Sequence, residues 1–260
     1  MNAPFTNITK SPRPREGGRP PKMTKRFILC LDTANELCEL ALIDIDSGAV
    51  RSLRSEEGRR HAEVVFGLMN KLLKDAGAAK SEIAAVAFGE GPGGFTGLRV
   101  ACGIAQGLAW GLNIPVIPVN NLRILAAAVR LARPDFEGVA AAMNDARMNE
   151  CYAAVHAVTA DGLEEKVESR LVKPADVASF LAENHADVVV GNAPAAYPEA
   201  FEAAGVAHVD AEPHFAEAFA TLAREDFLAG RTIDPKLAAP LYVRDRVALT
   251  RAQREAGERL

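Results

Sequence analysis

Nine consecutive residues, Gly91-Pro92-Gly93-Gly94-Phe95-Thr96-Gly97-Leu98-Arg99, carry the densest chemical signal in the 260-residue chain. An apolar strand-like run, Ile83 to Gly89, precedes them and a helix-like run, Leu98 to Leu112, follows. The turn between would aim free backbone N–H groups and the positive end of a helix at whatever lies above it, which is the chemistry of an anion site. Glycines in such a turn have a second use. Positive φ and close backbone packing need them with or without a ligand, and spacing alone favours that structural use. Neither common nucleotide signature is met. No Gly-Lys-Ser/Thr completes a phosphate loop, and Pro118 to Arg123 stands where a dinucleotide site would carry its acid.

Other reactive residue types are scattered. His61, His156, His185, His208 and His214 include no i, i+4 pair on a helix, so no metal site is indicated. Cys30, Cys38, Cys102 and Cys151 form no CxxC pair and sit in apolar surroundings, as reduced core residues of a cytoplasmic protein would. There is neither HExxH nor a recognisable Ser/His/Asp set. A formal net charge of −4 argues against this chain alone gripping a polyanion. At 49% hydrophobic content the chain can bury a large core, yet Arg99, Gln106 and Asn113 interrupt its longest apolar run, so no membrane span is expected.

The elements that must position these residues alternate in an α/β manner. Strands are expected at Phe27–Leu31, Leu37–Asp44 and Ala49–Ser55, with Asp32 to Asn35 as a turn. A helix over His61–Ala76 places Val64, Val65, Leu68, Leu72 and Leu73 in one stripe, widened by Phe66 and Met69, and stops at Gly77. After the glycine turn, Pro115–Val119 reads as a strand and Leu122–Leu131 as a helix. The helix that follows the turn holds Gly103, Gly107 and Gly111 in one i, i+4 row and Ala101, Ala105 and Ala109 in another. Each interior helical Gly costs about 1 kcal/mol relative to Ala, and close approach of another backbone would compensate. The same helix is apolar nearly all round, which predicts burial on more than one side: against its own sheet, and against a second helix of this chain or of a partner.

Val139–Met143, a turn at Asn144-Asp145, and Cys151–Val158 look like a second copy of the opening hairpin, with Asp145 six residues before Cys151 as Asp32 is before Cys38. An Asp in a turn more often caps backbone N–H groups than binds a ligand. From Asp161 to Asp210 one strand is expected, Asp187–Val190, and Pro213–Gly230 reads as a helix able to pack back on the first half. The first 25 residues are basic, rich in proline and without apolar periodicity, so they should be disordered, with Met23 as an alternative translation start. The polar end of the chain reads as a mobile tail. The organisation is then an extension over 1–25, one lobe over 26–122, a second over 123–212, and a returning helix with its tail over 213–260.

The string GPGGFTGLRV resembles the GPGSFTGLR signature of the TsaB (YeaZ) family, with Gly94 in place of the usual Ser. The resemblance runs from Phe27 to Arg244. It takes in Leu31-Asp32-Thr33, His61-Ala62-Glu63, Asp145-Ala146-Arg147 with Glu150 and Tyr152, and Tyr242-Val243-Arg244. It implies a two-lobed actin/Hsp70-like (ASKHA, ribonuclease H-like) fold, and a non-catalytic scaffold for threonylcarbamoyl transfer to N6 of adenosine in tRNA. The implied partners are a TsaD-like catalytic subunit, a TsaE-like ATPase, functionally a TsaC-like adenylate-forming enzyme, and tRNA indirectly. The implied interface is the two helices bearing His61, Val65, Leu68, Leu72, Gly103, Gly107 and Gly111, which would also make a homodimer when the TsaD-like subunit is absent. No cofactor of its own is expected; ATP/ADP and metal belong to the partners or to the interface. Asp32, Thr33 and Asp145 are the weak candidates for a nucleotide. The related TsaD family carries two metal-binding histidines after this strand, where the chain has Asn121 and Leu125. An aliphatic side chain cannot ligate a metal. An autonomous ATP-dependent phosphotransferase of the same fold and a homodimeric binding protein stand as alternatives.

Overall fold

The computed structural model describes residues 26–35, 37–55 and 61–244. The expected extension over 1–25, the start at Met23 and the tail beyond Arg244 lie outside the described residues. The first half comprises β1 (Phe27–Asp32), β2 (Glu39–Asp44), β3 (Val50–Arg54), α1 (His61–Asp75), β4 (Ile83–Gly91), α2 (Phe95–Leu112), β5 (Val116–Asn120) and α3 (Asn121–Ala132). The second comprises β6 (Gly138–Arg147), β7 (Glu150–Thr159), β8 (Gly162–Val172), α4 (Val177–Glu183), β9 (Val188–Val190), α5 (Ala193–Ala196), α6 (Pro198–Ala204), β10 (Ala207–Val209) and α7 (Phe215–Leu228).

The first sheet has the order β3-β2-β1-β4-β5, with β1, β2 and β3 antiparallel and β4 and β5 parallel to β1. The second has the order β8-β7-β6-β9-β10 with the same directions. The chain therefore builds one ribonuclease H-like sheet twice, which is the two-lobed actin/Hsp70-like arrangement.

Strands β1 and β4 read as unbroken apolar runs because both their faces are covered. Leu29, Leu31, Leu40, Leu42, Val86 and Phe88 point outward to α1 and α2. Ile28, Cys30, Ala41, Ile43, Ala85 and Ala87 point inward to a core shared with Ala140, Ala142 and Ala154 of the second sheet. Between the sheets lie α3 and α7, which pack on each other. The closing helix of each half also leans on the opposite sheet, α3 on β6 and β7, α7 on β1 and β2. The outer face of the second sheet is covered through Phe180 of α4 and Phe201 of α6.

Several expected boundaries move. β4 continues through Gly91 rather than stopping at Gly89, and α2 starts at Phe95 rather than Leu98, so half of the glycine signature is helix. The second hairpin turns at Arg147-Met148-Asn149, with φ of 62°, 54° and 58°, and not at Asn144-Asp145, which lie within β6. The region from Asp161 to Asp210, read as holding one strand, holds β8, β9 and β10 and three short helices. The four cysteines are buried and unpaired, and burial holds the Cys30 thiol well above its ordinary range.

Candidate functional site

The glycine signature is packed against the turn after β1. Gly94 N–H donates to the Ala34 carbonyl at 2.9 Å, and Thr33 Oγ1 donates to the Gly97 carbonyl at 2.6 Å. A Cβ at Gly97 would fall 1.8 Å from the Thr33 oxygen, one at Gly93 2.8 Å from the Ala34 Cβ, and one at Gly89 1.9 Å from Asp32 Oδ2. At these positions glycine is required by close approach within the chain. Gly94, exposed at φ −62°, is less constrained, since a Cβ there would lie 3.1 Å from the Ala34 carbonyl oxygen, a tight contact but not an overlap. It is the N-cap of α2 without a side-chain capping bond, so the hydroxyl the family Ser would offer there is missing.

Asp32 is fully buried. Its Oδ1 accepts from Ala34 N (3.1 Å), Asn35 N (3.4 Å) and Asn35 Nδ2 (3.1 Å), and its Oδ2 from Asn121 Nδ2 at 2.7 Å. Burial nonetheless raises its pKa, with the four donors pulling the other way. Asn121 accepts the Gly91 N–H at 2.9 Å, so one amide ties β1 to the start of the signature. Asp32 and Thr33 are thus buried and engaged within the chain, and neither side chain is presented to the cleft, so the pair as it stands does not fit a magnesium nucleotide.

Opposite them, across a cleft of about 1450 Å³, stands the turn after β6. Asp145 accepts from Arg147 N and Tyr197 Oη, both at 2.8 Å, and pairs with the Arg147 guanidinium at 3.0 Å. Burial and then the Asp145 bond push the Tyr197 phenol up to about 12. The three nucleotide candidates are therefore anchored locally: Asp145 lines the cleft, whereas Asp32 and Thr33 are buried beneath the turn whose Ala34 and Asn35 line it.

The chain's last described segment closes the mouth of that cleft. Leu241 N donates to the Glu90 carbonyl at 2.7 Å, and Arg99 lies 3.8 Å from the Phe95 ring centroid while its Nε donates to Tyr242 Oη at 2.9 Å. Arg244 pairs with Glu150. Gln106 Nε2 donates to the carbonyls of Pro235 (3.1 Å) and Ala238 (3.0 Å). Arg99 and Gln106, the polar breaks in α2 beyond its first turn, hold this segment.

The expected interface divides. Val65 and Leu72 face the core, each 1% exposed, and Leu68 is half-buried; the stripe of α1 is its inner face, and Met69 belongs to it. His61 opens α1. On α2 the alanine row is the buried one, whereas Gly103, Gly107 and Gly111 are exposed, and a Cβ at any of the three meets nothing within 4 Å. The expected second burial of α2 is thus limited, among the described residues, to the flank gripped by residues 235–242. On the same helix as the glycines stands Trp110, 70% exposed, and α1 exposes Phe66, at 47%. The outer face is apolar, but its members are Phe66, Trp110 and the glycines rather than Val65 and Leu72. Sequence reading missed Trp110 and also Glu39, whose signal was a lone acid at the head of apolar β2.

A family model described as TsaD, tRNA N6-adenosine threonylcarbamoyltransferase, matches residues 55–248. The chain is 34% identical over 234 residues to tRNA threonylcarbamoyladenosine biosynthesis protein TsaB of Haemophilus influenzae, covering 86% of this chain and 96% of the relative. It is 33% identical over 225 residues to the Escherichia coli protein of the same name, covering 85% and 96%. Among solved structures, YeaZ from Pseudomonas aeruginosa superposes with a TM-score of 0.72 at 32% identity, covering 84% of this chain and 99% of that one. With the signature loop locked on the β1 turn, the duplicated sheet and these near-complete matches, the chain belongs to the TsaB (YeaZ) family.

Proposed function

We propose that this chain acts in threonylcarbamoyladenosine modification of tRNA as a non-catalytic scaffold that binds and organises a TsaD-like catalytic subunit. The observation that carries the reading is the exposed glycine row of α2. Interior glycines such as Gly103 and Gly107 cost the helix about 1 kcal/mol each relative to Ala, and among the described residues no packing on the row requires them. A second helix laid along Gly103, Gly107 and Gly111, flanked by Phe66 and Trp110, would use the space they leave. The commitment of Asp32, Thr33 and Asp145 to internal bonds supports a subunit that leaves nucleotide and metal chemistry to its partners, the TsaD-like subunit and a TsaE-like ATPase. A TsaC-like enzyme supplies the adenylate, and tRNA is held elsewhere, in keeping with the chain's net charge of −4.

The test is threonylcarbamoyl transfer to tRNA in a reconstituted system of TsaD-like, TsaE-like and TsaC-like components, with and without this chain. Product should depend on the chain, and Gly107→Trp should abolish both product and co-elution with the TsaD-like subunit. Equal product without the chain overturns the proposal; ATP turnover by the isolated chain would favour a phosphotransferase instead.

A further inference from the structure

Among the described residues the buried carboxylates are satisfied, with one exception. Asp32 has its four donors; Asp44 accepts from Arg26, from Asp46 N at 3.1 Å and from Ser47 N at 2.9 Å. Asp226 accepts from Arg123 at 2.7 and 3.0 Å and from Arg231 at 2.9 Å. Glu39 is 6% exposed, and its Oε2 is sealed from solvent with no hydrogen-bond partner. An unpaired buried charge of this kind costs several kcal/mol, so a partner is expected.

The missing partner has a defined place. Glu39 is the first residue of β2, opposite Asp32 in the β1 register and opposite Arg54 in that of β3, and it lines the inter-lobe cleft. The charged groups acting on it are Asp32, Glu212 on the segment leading into α7, and the exposed Arg54. Two acids against one solvent-facing cation repel an anion and attract a positive donor. A metal fits poorly: Asp32 is buried and engaged within the chain, and among the described residues no three His, Cys, Asp or Glu are disposed to hold one. Leu37, Leu125 and Phe215 give the same cleft apolar wall.

We infer that Glu39 is the anchor of a binding site for a small organic cation, an ammonium or guanidinium group carried on a short apolar body. The nitrogen donates to the Glu39 carboxylate from the cleft side, turning of that carboxylate on binding brings the sealed Oε2 within reach, and the body lies against the apolar wall. This inference is independent of the scaffold reading, because it concerns the inner cleft and not the outer face of α1 and α2.

The test uses the full chain labelled with ¹³C at glutamate carboxyls, titrated at pH 8 with n-propylammonium or n-propylguanidinium chloride. Sodium chloride at matched ionic strength is the control, and the Glu39 resonance is assigned as the one missing from Glu39→Gln. The expected result is a saturable shift of that resonance, with a dissociation constant of about 1–10 mM for so small a ligand. Because burial pushes Glu39 up to about 7, the affinity should fall about tenfold at pH 6. Other resonances perturbed by the cation in the wild type should lose at least a factor of ten in affinity in Glu39→Gln. No saturation in the wild type, a shift reproduced by sodium chloride, or undiminished affinity in Glu39→Gln overturns the site. If Glu39→Gln fails to fold, Glu39→Asp, which also lacks the glutamate label at this position, supplies the assignment and the wild-type titration then decides the matter.

Discussion

The guanidinium of Arg244 bonds the Glu150 carboxylate, 94 residues away in sequence, and reaches the Arg147 carbonyl at 3.3 Å. The segment that carries it is fixed to the first lobe through Leu241 and Tyr242, so Arg244 completes a strap between lobes. Its anchor on the second lobe is the hairpin turn in which three successive non-glycine residues, Arg147, Met148 and Asn149, have positive φ. Such residues cost about 1–2 kcal/mol each and persist only where their surroundings hold them. The strap is part of what holds them.

Arg244→Ala should accordingly cost about 2 kcal/mol, the scale of a charge-assisted bond with little exposure, lowering Tm by about 4–8 °C for a chain of this size. Differential scanning calorimetry of Arg244→Ala, Glu150→Ala and the double variant checks this. The two single costs should fail to add; full additivity would mean that the pair is not coupled.

Asn121→Ala should be costlier. It strips the 2.7 Å donor from a fully buried carboxylate and the acceptor from Gly91 N–H together. The loss expected is about 3 kcal/mol. Urea unfolding measures it, and Asn121→Asp should be worse than Asn121→Ala, since it sets a second carboxylate against Asp32. The reverse order would show that the amide does not hold Asp32.

How much of this was legible in the sequence depends on what each element buries. β1, β4 and α2 have continuous apolar runs and were readable within a few residues. β8 was not, because its first half carries Glu164 to Lys166, exposed and charged as suits a sheet edge, and the alternation that follows rests on only half-buried Val167, Ser169 and Leu171. The turn at Arg147-Met148-Asn149 lacks glycine and proline, and what sustains it, the bonds of Asp145 to Arg147 and of Arg244 to the Arg147 carbonyl, is not announced by any turn residue type. On α1 the stripe of Val65 and Leu72 marked a buried face, and periodicity alone cannot say whether the cover is the chain's own sheet or a partner. On α2 the two small-residue rows looked alike, and only packing showed alanine inside and glycine outside.

That difference between rows gives a third prediction. Gly103→Ala and Gly107→Ala should each stabilise the isolated chain by about 0.5–1 kcal/mol, since the added methyl meets nothing and the helix gains propensity. Gly97→Ala, whose methyl would overlap the Thr33 carbonyl, should destabilise it by several times as much. Equilibrium denaturation of the three variants compares them directly. A loss of stability in Gly107→Ala would mean that the outer row is covered within the chain after all.

Stability should also depend on pH through two buried groups that act in opposite directions. Burial and then the Arg123 charge pull His156 down to about 4 from its ordinary 6.5, and neither ring nitrogen has a partner. As pH falls from 6.5 to 4 the unfolded chain takes a proton that the folded chain refuses, so stability falls over that window, by up to about 3 kcal/mol. Glu39 runs the other way. Raised to about 7 from 4.5, it binds a proton in the folded state first, so its penalty is complete above pH 7 and is relieved as pH drops towards 4.5. Between 6.5 and 4.5 the two largely cancel, and each is exposed by removing the other. In urea unfolding from pH 4 to 8, Glu39→Gln should be more stable than wild type at pH 8 and lose that advantage by pH 4.5. His156→Leu should gain on wild type as pH falls below 6.5. Parallel curves for wild type and Glu39→Gln would show that Glu39 ionises in the folded protein as freely as in the unfolded chain, and so is not the unpaired charge of the cleft.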